Sequence, residues 1–144
     1  DFIYHSDINE NTKDIFIPKL IVQPFVENAF KYGFSASPPW YLKISSNIED
    51  EKWIICIEDN GGCLTNDKRI ELLSKFYNLD KNKELKSLKI GGMGLKNVYI
   101  RLKILYGDES IFYIDNSIYG KTVFIIGGPI YTNKEEFYND HTQI

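Results

Sequence analysis

Glu27, Asn28 and Lys31 stand at spacings of one, three and four, which on a helix gathers a carboxylate, an amide and an ammonium on neighbouring positions of one face. Two chemistries fit this trio. One is a solvated face with a Glu27–Lys31 ion pair, worth roughly 0.3 kcal/mol. The other is a metal-assisted phosphate site: Asn28 offers a neutral oxygen to a hard cation such as Mg²⁺, Glu27 acts as base or orients water, and Lys31 neutralises phosphate charge. The trio alone does not decide between them. Asp59 adds a second signal, because Trp53, Ile55, Ile57 and Asp59 share one parity of a strand that breaks at Asn60-Gly61-Gly62. A carboxylate on an apolar strand face is costly unless something hydrogen-bonds it. The third signal is Gly91-Gly92-Met93-Gly94 running into an amphipathic helix, an arrangement suited to phosphate. Taken alone, two glycines ahead of a helix simply make a tight turn. The spacing is not that of a Rossmann fingerprint, and Gly120-Lys121-Thr122 lacks the residues of a Walker sequence and opens a strand.

The elements that must position these groups are legible in outline. Residues 17–34 read as a helix, with Pro18 suited to its first turn, Gly33 just past its end, and a start or kink near Gln23 and Pro24. Leu20, Ile21, Phe25, Val26, Ala29 and Phe30 form its expected apolar stripe. Phe2, Tyr4 and Ile8 alternate as an opening strand that includes His5, here read as structural. Residues 42–48 and 53–59 alternate as two strands joined by a turn at 49–51. A short helix is expected over 64–78, a mobile loop over 79–89, and an amphipathic helix from Leu95 to Gly107 carried by Leu95, Val98, Leu102 and Leu105. Two strands, 111–116 and 122–126, follow with a turn at Tyr119 and Gly120. A polar tail follows Pro129, its residues 133–144 carry no motif, and no internal repeat is visible.

A chain of 144 residues suits one domain with one core. Its net charge of −3, with no basic run, argues against a nucleic-acid partner. Cys56 and Cys63 are too few for a disulfide scaffold and have the wrong company for zinc, so a reducing compartment is the default. No apolar run approaches the ~20 residues of a membrane span, no signal peptide is visible, and the chain reads as soluble. The start without Met suggests a fragment of a longer protein.

The order of the elements is more specific than any one of them. An Asn-bearing helix, a strand ending Asp-x-Gly, a loop and a Gly-x-Gly helix together resemble the Bergerat ATP-binding fold of the GHKL superfamily, which includes histidine kinases, gyrase, MutL and heat-shock chaperone ATPases. The wording narrows this further. Ile17-Pro18-Lys19-Leu20, the run from Gln23 to Gly33, and the run from Gly92 to Asp108 resemble LytS/YesM-type sensor histidine kinases. The resemblance covers residues 1–128, read as an ATP-binding catalytic domain ahead of the tail 129–144.

It implies an α+β, two-layer sandwich: a mixed, mostly antiparallel sheet with helices on one face and an ATP lid over 79–90. Asn28 would coordinate Mg²⁺ through the phosphates of ATP, Glu27 would be the general base or water-orienting residue, and Lys31 would meet phosphate. Asp59 would accept from the adenine amino group and Gly61 would let the backbone approach the base. Gly92, Gly94 and Leu95 would face the triphosphate, and Thr122 would lie at the adenine end. The implied activity is transfer of the ATP γ-phosphoryl to a histidine on an upstream dimerisation segment, with a response regulator as further partner. The implied location is the cytoplasmic side of a membrane-anchored bacterial sensor. Two departures stand out, Cys63 in place of the second glycine of Asp-x-Gly-x-Gly, and a turn before Thr122 one glycine short. They motivate a rival reading, a nucleotide-binding regulatory module without phosphoryl transfer. A hydrolase of the same superfamily is a third, which would rely on further domains.

Overall fold

Strand β3, Lys52–Asp59, lies at the centre of the sheet, with a face that is apolar up to Asp59 at its end and hydrogen-bonding neighbours on both edges. The computed structural model describes residues 1–33, 37–61, 64–81 and 94–140. Around β3 are arranged β1 (Phe2–Ile8), β2 (Trp40–Glu49), β4 (Ile111–Asp115) and β5 (Thr122–Pro129), in the order β1-β2-β3-β5-β4. Only β1 and β2 run parallel; the other pairs are antiparallel. The α+β architecture with a mixed, mostly antiparallel sheet expected from the sequence is thus observed. The β2–β3 turn is tight, with Asp50 and Glu51 both at positive φ (49° and 61°), the two-residue geometry whose twist matches that of the flanking strands.

One face of the sheet carries the core. Leu42, Trp53, Ile57, Phe112, Ile114, Phe124 and Ile126 meet the buried side of α1 (Gln23–Asn28), α2 (Asn66–Lys81) and α3 (Leu95–Tyr106). Phe25 of α1 packs on Phe124 at 5.1 Å between ring centroids, and Tyr99 of α3 stacks with Phe76 of α2 at 5.0 Å. In α3 the buried positions Val98, Tyr99, Leu102 and Tyr106 recur at helical spacing, and the helix ends where Gly107 takes φ 56°. Burying an aliphatic side chain such as Leu102 removes its apolar surface from water, worth about 2–3 kcal/mol.

The first helix is shorter than its sequence suggests. Residues 17–22 are not helical: Leu20 adopts φ 57° and is 61% exposed, so it drops out of the apolar stripe and Pro18 opens no helix. A left-handed leucine cannot continue a right-handed helix. The helix starts at Gln23, where the sequence places a start or kink, with Pro24 in its first turn, where a missing N–H costs nothing. After Asn28 the turn widens to an i→i+5 pattern over Ala29–Gly33. Ile21, Phe25 and Ala29, four apart, form the buried stripe.

The segment after Pro129 is structured up to Asp140. Helix α4 (Lys134–Asp140) is capped by Asn133, whose Oδ1 accepts from the Glu135 N–H at 2.8 Å. Its Phe137 is buried between Phe16 and Tyr131.

Candidate nucleotide site

At its last residue β3 delivers Asp59 into the cross-strand register, with Leu42 of β2 on one side and Thr122 of β5 on the other. Both polar residues are buried, Asp59 at 8% exposure and Thr122 at 5%. The Asp59 Oδ1 accepts the Gly61 N–H at 3.0 Å, and Oδ2 has no protein donor among the described residues. Burial raises the pKa of this carboxyl above its ordinary value; the Gly61 N–H opposes the rise and the charge of Glu58 adds to it. A half-satisfied buried carboxylate is costly for a closed core. It fits an acceptor waiting for a donor.

That donor has room to approach. Asp59, Gly61 and Thr122 open onto a cavity of about 370 Å³. Phe124, Leu64, Leu72 and Leu95 give it apolar walls, Asn28 and Tyr32 enter from α1 and the widened turn, and Lys68 comes from α2. The volume is that of a small-molecule site with a few convergent polar groups. Helix α3 begins beside it, with Gly94 as an N-cap that offers no side chain to the first N–H groups. Free N–H groups at a helix start favour an anion. A flat ring between apolar walls, a donor for Asp59 and an anionic chain toward Asn28 and α3 would together satisfy every group present.

The sequence pattern described as histidine kinase-, DNA gyrase B-, and HSP90-like ATPase matches residues 13–130. The chain belongs to that family. Among its relatives, the uncharacterized protein YwpD of Bacillus subtilis is 34% identical over 105 residues, 72% of this chain and 33% of YwpD. The sensor protein LytS of Staphylococcus epidermidis is 28% identical over 140 residues, 96% of this chain and 22% of LytS. This chain therefore spans a third or less of these relatives. The solved structure of the mycobacterial sensor histidine kinase MprB shares the fold, with a TM-score of 0.56 at 14% identity, over 90% of this chain and 82% of that one.

Within this ATPase-family domain the fold brings Asn28, Asp59, Gly61, Leu95 and Thr122 to one cavity. Gly94 lies next to Leu95 at the start of α3. Glu27 and Lys31 do not line the cavity: the exposed Glu27 accepts from Gln23 Nε2 at 2.7 Å, and the Lys31 ammonium lies over the Tyr32 ring at 5.2 Å. The reason is angular. Glu27 is a residue away from Asn28 around the helix, and Tyr32, four residues after Asn28, lies nearer its face than Lys31, three residues after it, so Tyr32 is the one that reaches the cavity. Gly92, Cys63 and residues 82–90 of the expected lid lie outside the described residues; 79–81 belong to α2.

Tyr32, Leu64, Lys68, Leu72 and Phe124 went unnoticed in the sequence. Leu64, Lys68 and Leu72 recur every four residues, and Phe124 lies two residues beyond Thr122 on the same strand face, so a signal for these was available. His5 sits in β1, with its ring 5.6 Å from that of Tyr41.

Among the described residues no three His, Cys, Asp or Glu side chains gather to hold a metal ion. Asn28 is a neutral oxygen donor in the cavity, which fits a hard cation carried mainly by a ligand's own phosphates. Among the same residues no helix is long and apolar enough to cross a membrane.

Proposed function

We propose that this domain binds Mg-ATP and presents its γ-phosphoryl to a histidine on a separate helical segment of a longer sensor kinase. The observation that carries the reading is the buried, half-satisfied Asp59 beside Thr122, in a cavity that also takes in Asn28 and adjoins the start of α3. In this reading Asp59 accepts from the adenine amino group, Leu64, Leu72 and Phe124 enclose the base, and Gly61 lets the backbone come close. Asn28 and the α3 N-terminus, with Gly92 and Gly94 ahead of it, hold the phosphate end. A bound Mg²⁺ would neutralise phosphate charge; the protein's own contribution is positioning and preorganised charge, as in other phosphoryl transfers. Glu27 and Lys31 reach the reacting end only by exchanging their present partners. The phosphorylated histidine would pass its group to a response regulator, and use of ATP places the domain on the cytoplasmic side of a bacterial sensor.

Titration of the chain with Mg-ATP, alongside Asn28→Ala, tests the site. The substitution is expected to weaken binding at least tenfold; equal binding by both proteins removes Asn28 from the phosphate end.

A second reading is a nucleotide-operated regulatory module without transfer. Its support is that Glu27 and Lys31 are occupied by Gln23 and Tyr32. Labelled phosphate on the full-length protein after exposure to ATP separates the two, and tight binding without labelling favours the module.

A further inference from the structure

The turn that follows Asp59 is tied to the sheet by one side chain. Asn60 Oδ1 accepts the Tyr41 N–H at 2.7 Å, Asn60 Nδ2 donates to the Pro39 carbonyl at 2.9 Å, and the Asn60 N–H donates to the Tyr41 carbonyl at 3.4 Å. The regular β2–β3 ladder ends at the Leu42–Asp59 pair. Beyond it a single long main-chain bond, from the Asn60 N–H to the Tyr41 carbonyl, joins the two strands among the described residues. The carboxamide of Asn60 supplies the missing rungs, and only a group with an acceptor and a donor on one short stem can satisfy both main-chain partners.

The consequence falls on Asp59 and Gly61. Both flank Asn60, and the Gly61 N–H is the group that orients the Asp59 carboxylate. Tyr41 is itself braced from its other edge, where it registers with Ile3 of β1. Asn60 is not among the residues that line the 370 Å³ cavity.

We propose that Asn60 is a positioning residue for base recognition: by clamping the turn to Tyr41 and Pro39 it fixes the Asp59 carboxylate and the Gly61 backbone for adenine. It thereby sets selectivity for adenine over guanine from outside the cavity. This rests on the reading of the cavity as a nucleotide site. Asn60→Asp keeps the acceptor for Tyr41 but loses the donor and sets a second carboxylate beside Asp59. Asn60→Ala loses both arms.

The experiment is isothermal titration of the 144-residue chain with Mg-ATP and with Mg-GTP, for wild type, Asn60→Ala, Asn60→Asp and Asp59→Asn. A Phe137→Leu variant in α4, remote from the cavity, controls for general loss of stability. Asn60→Ala is expected to weaken Mg-ATP at least tenfold and to shrink the preference over Mg-GTP at least fivefold, with Asn60→Asp losing preference as well. Phe137→Leu should lose melting temperature and keep both. If Asn60→Ala does not fold, Asn60→Asp carries the same comparison. An unchanged preference in the Asn60 variants, or an equal loss in Phe137→Leu, overturns the role of Asn60. Loss in Asp59→Asn with no change at Asn60 overturns it while leaving the nucleotide site intact. A wild-type chain that binds neither nucleotide overturns both readings together.

Discussion

In the proposed reading Asp59 faces two opposing requirements, since burial disfavours its charge and a base-recognising acceptor must carry one. Burial keeps its carboxyl protonated to a higher pH in the folded chain than in the unfolded chain. Between those two pKa values folding takes up a proton, so stability falls as pH rises, and the loss is complete above the folded value. Asp59→Asn removes that loss while keeping an acceptor for the Gly61 N–H. It is expected to raise stability at pH 7 by on the order of 1 kcal/mol, about 2–4 °C in melting temperature, and to weaken Mg-ATP at least tenfold. Mg-ATP affinity of the wild type should decline as pH drops through the raised Asp59 value, above the ordinary carboxylate range near 3.9, and Asp59→Asn should flatten that decline. Calorimetry measures both; a variant that is less stable yet binds normally removes Asp59 from the site. This residue was legible because a carboxylate interrupts an apolar parity. Thr122 and Asn28 were placed by resemblance to a known sequence pattern, and Tyr32 was missed although it stands four residues after Asn28, the spacing of one helix face.

Among the elements, strands and α3 followed their periodicities, and the departures cluster where local chemistry overrides pattern. Residues 17–22 look helical in composition, but the left-handed Leu20 stops them, with its preceding carbonyl at Lys19 accepting from Arg101 at 2.7 Å. Helix α4 had a readable start, since Asn133 followed three residues later by Glu136 is a capping pattern, yet its polar composition masked it. Strand β5 meets α3 through a close approach that requires glycine: a Cβ at Gly128 would lie 2.6 Å from the Tyr106 ring. Gly128→Ala is therefore expected to push Tyr106 off its contact with Trp53 and cost about 1–3 kcal/mol. Mg-ATP affinity of the folded fraction should stay unchanged. Urea unfolding followed by tryptophan fluorescence measures the loss, and a neutral result shows that α3 can move away without penalty.

For the whole molecule, the sheet grades from a firm centre to a loose edge. β3 has neighbours on both sides and two fully buried aromatic or aliphatic anchors, Trp53 and Ile57, whereas every residue of β1 is exposed and its pairing is to β2 alone. Hydrogen exchange should accordingly show β1 amides opening far below the global unfolding energy and β3 and β5 amides only near it; equal protection in β1 and β3 refutes the gradient. Periodicity located the strands and helices, and the fold class came with the family resemblance of the motifs they carry. The strand order was not, because it depends on β5 returning between β3 and β4. That return has a temporal consequence. Asp59 leaves the ribosome about 60 residues before its cross-strand partner Thr122, roughly 3–13 s at 5–20 residues per second. In the proposed reading the nascent chain holds half a base pocket throughout that interval, and the domain engages a nucleotide only once its last strand is made.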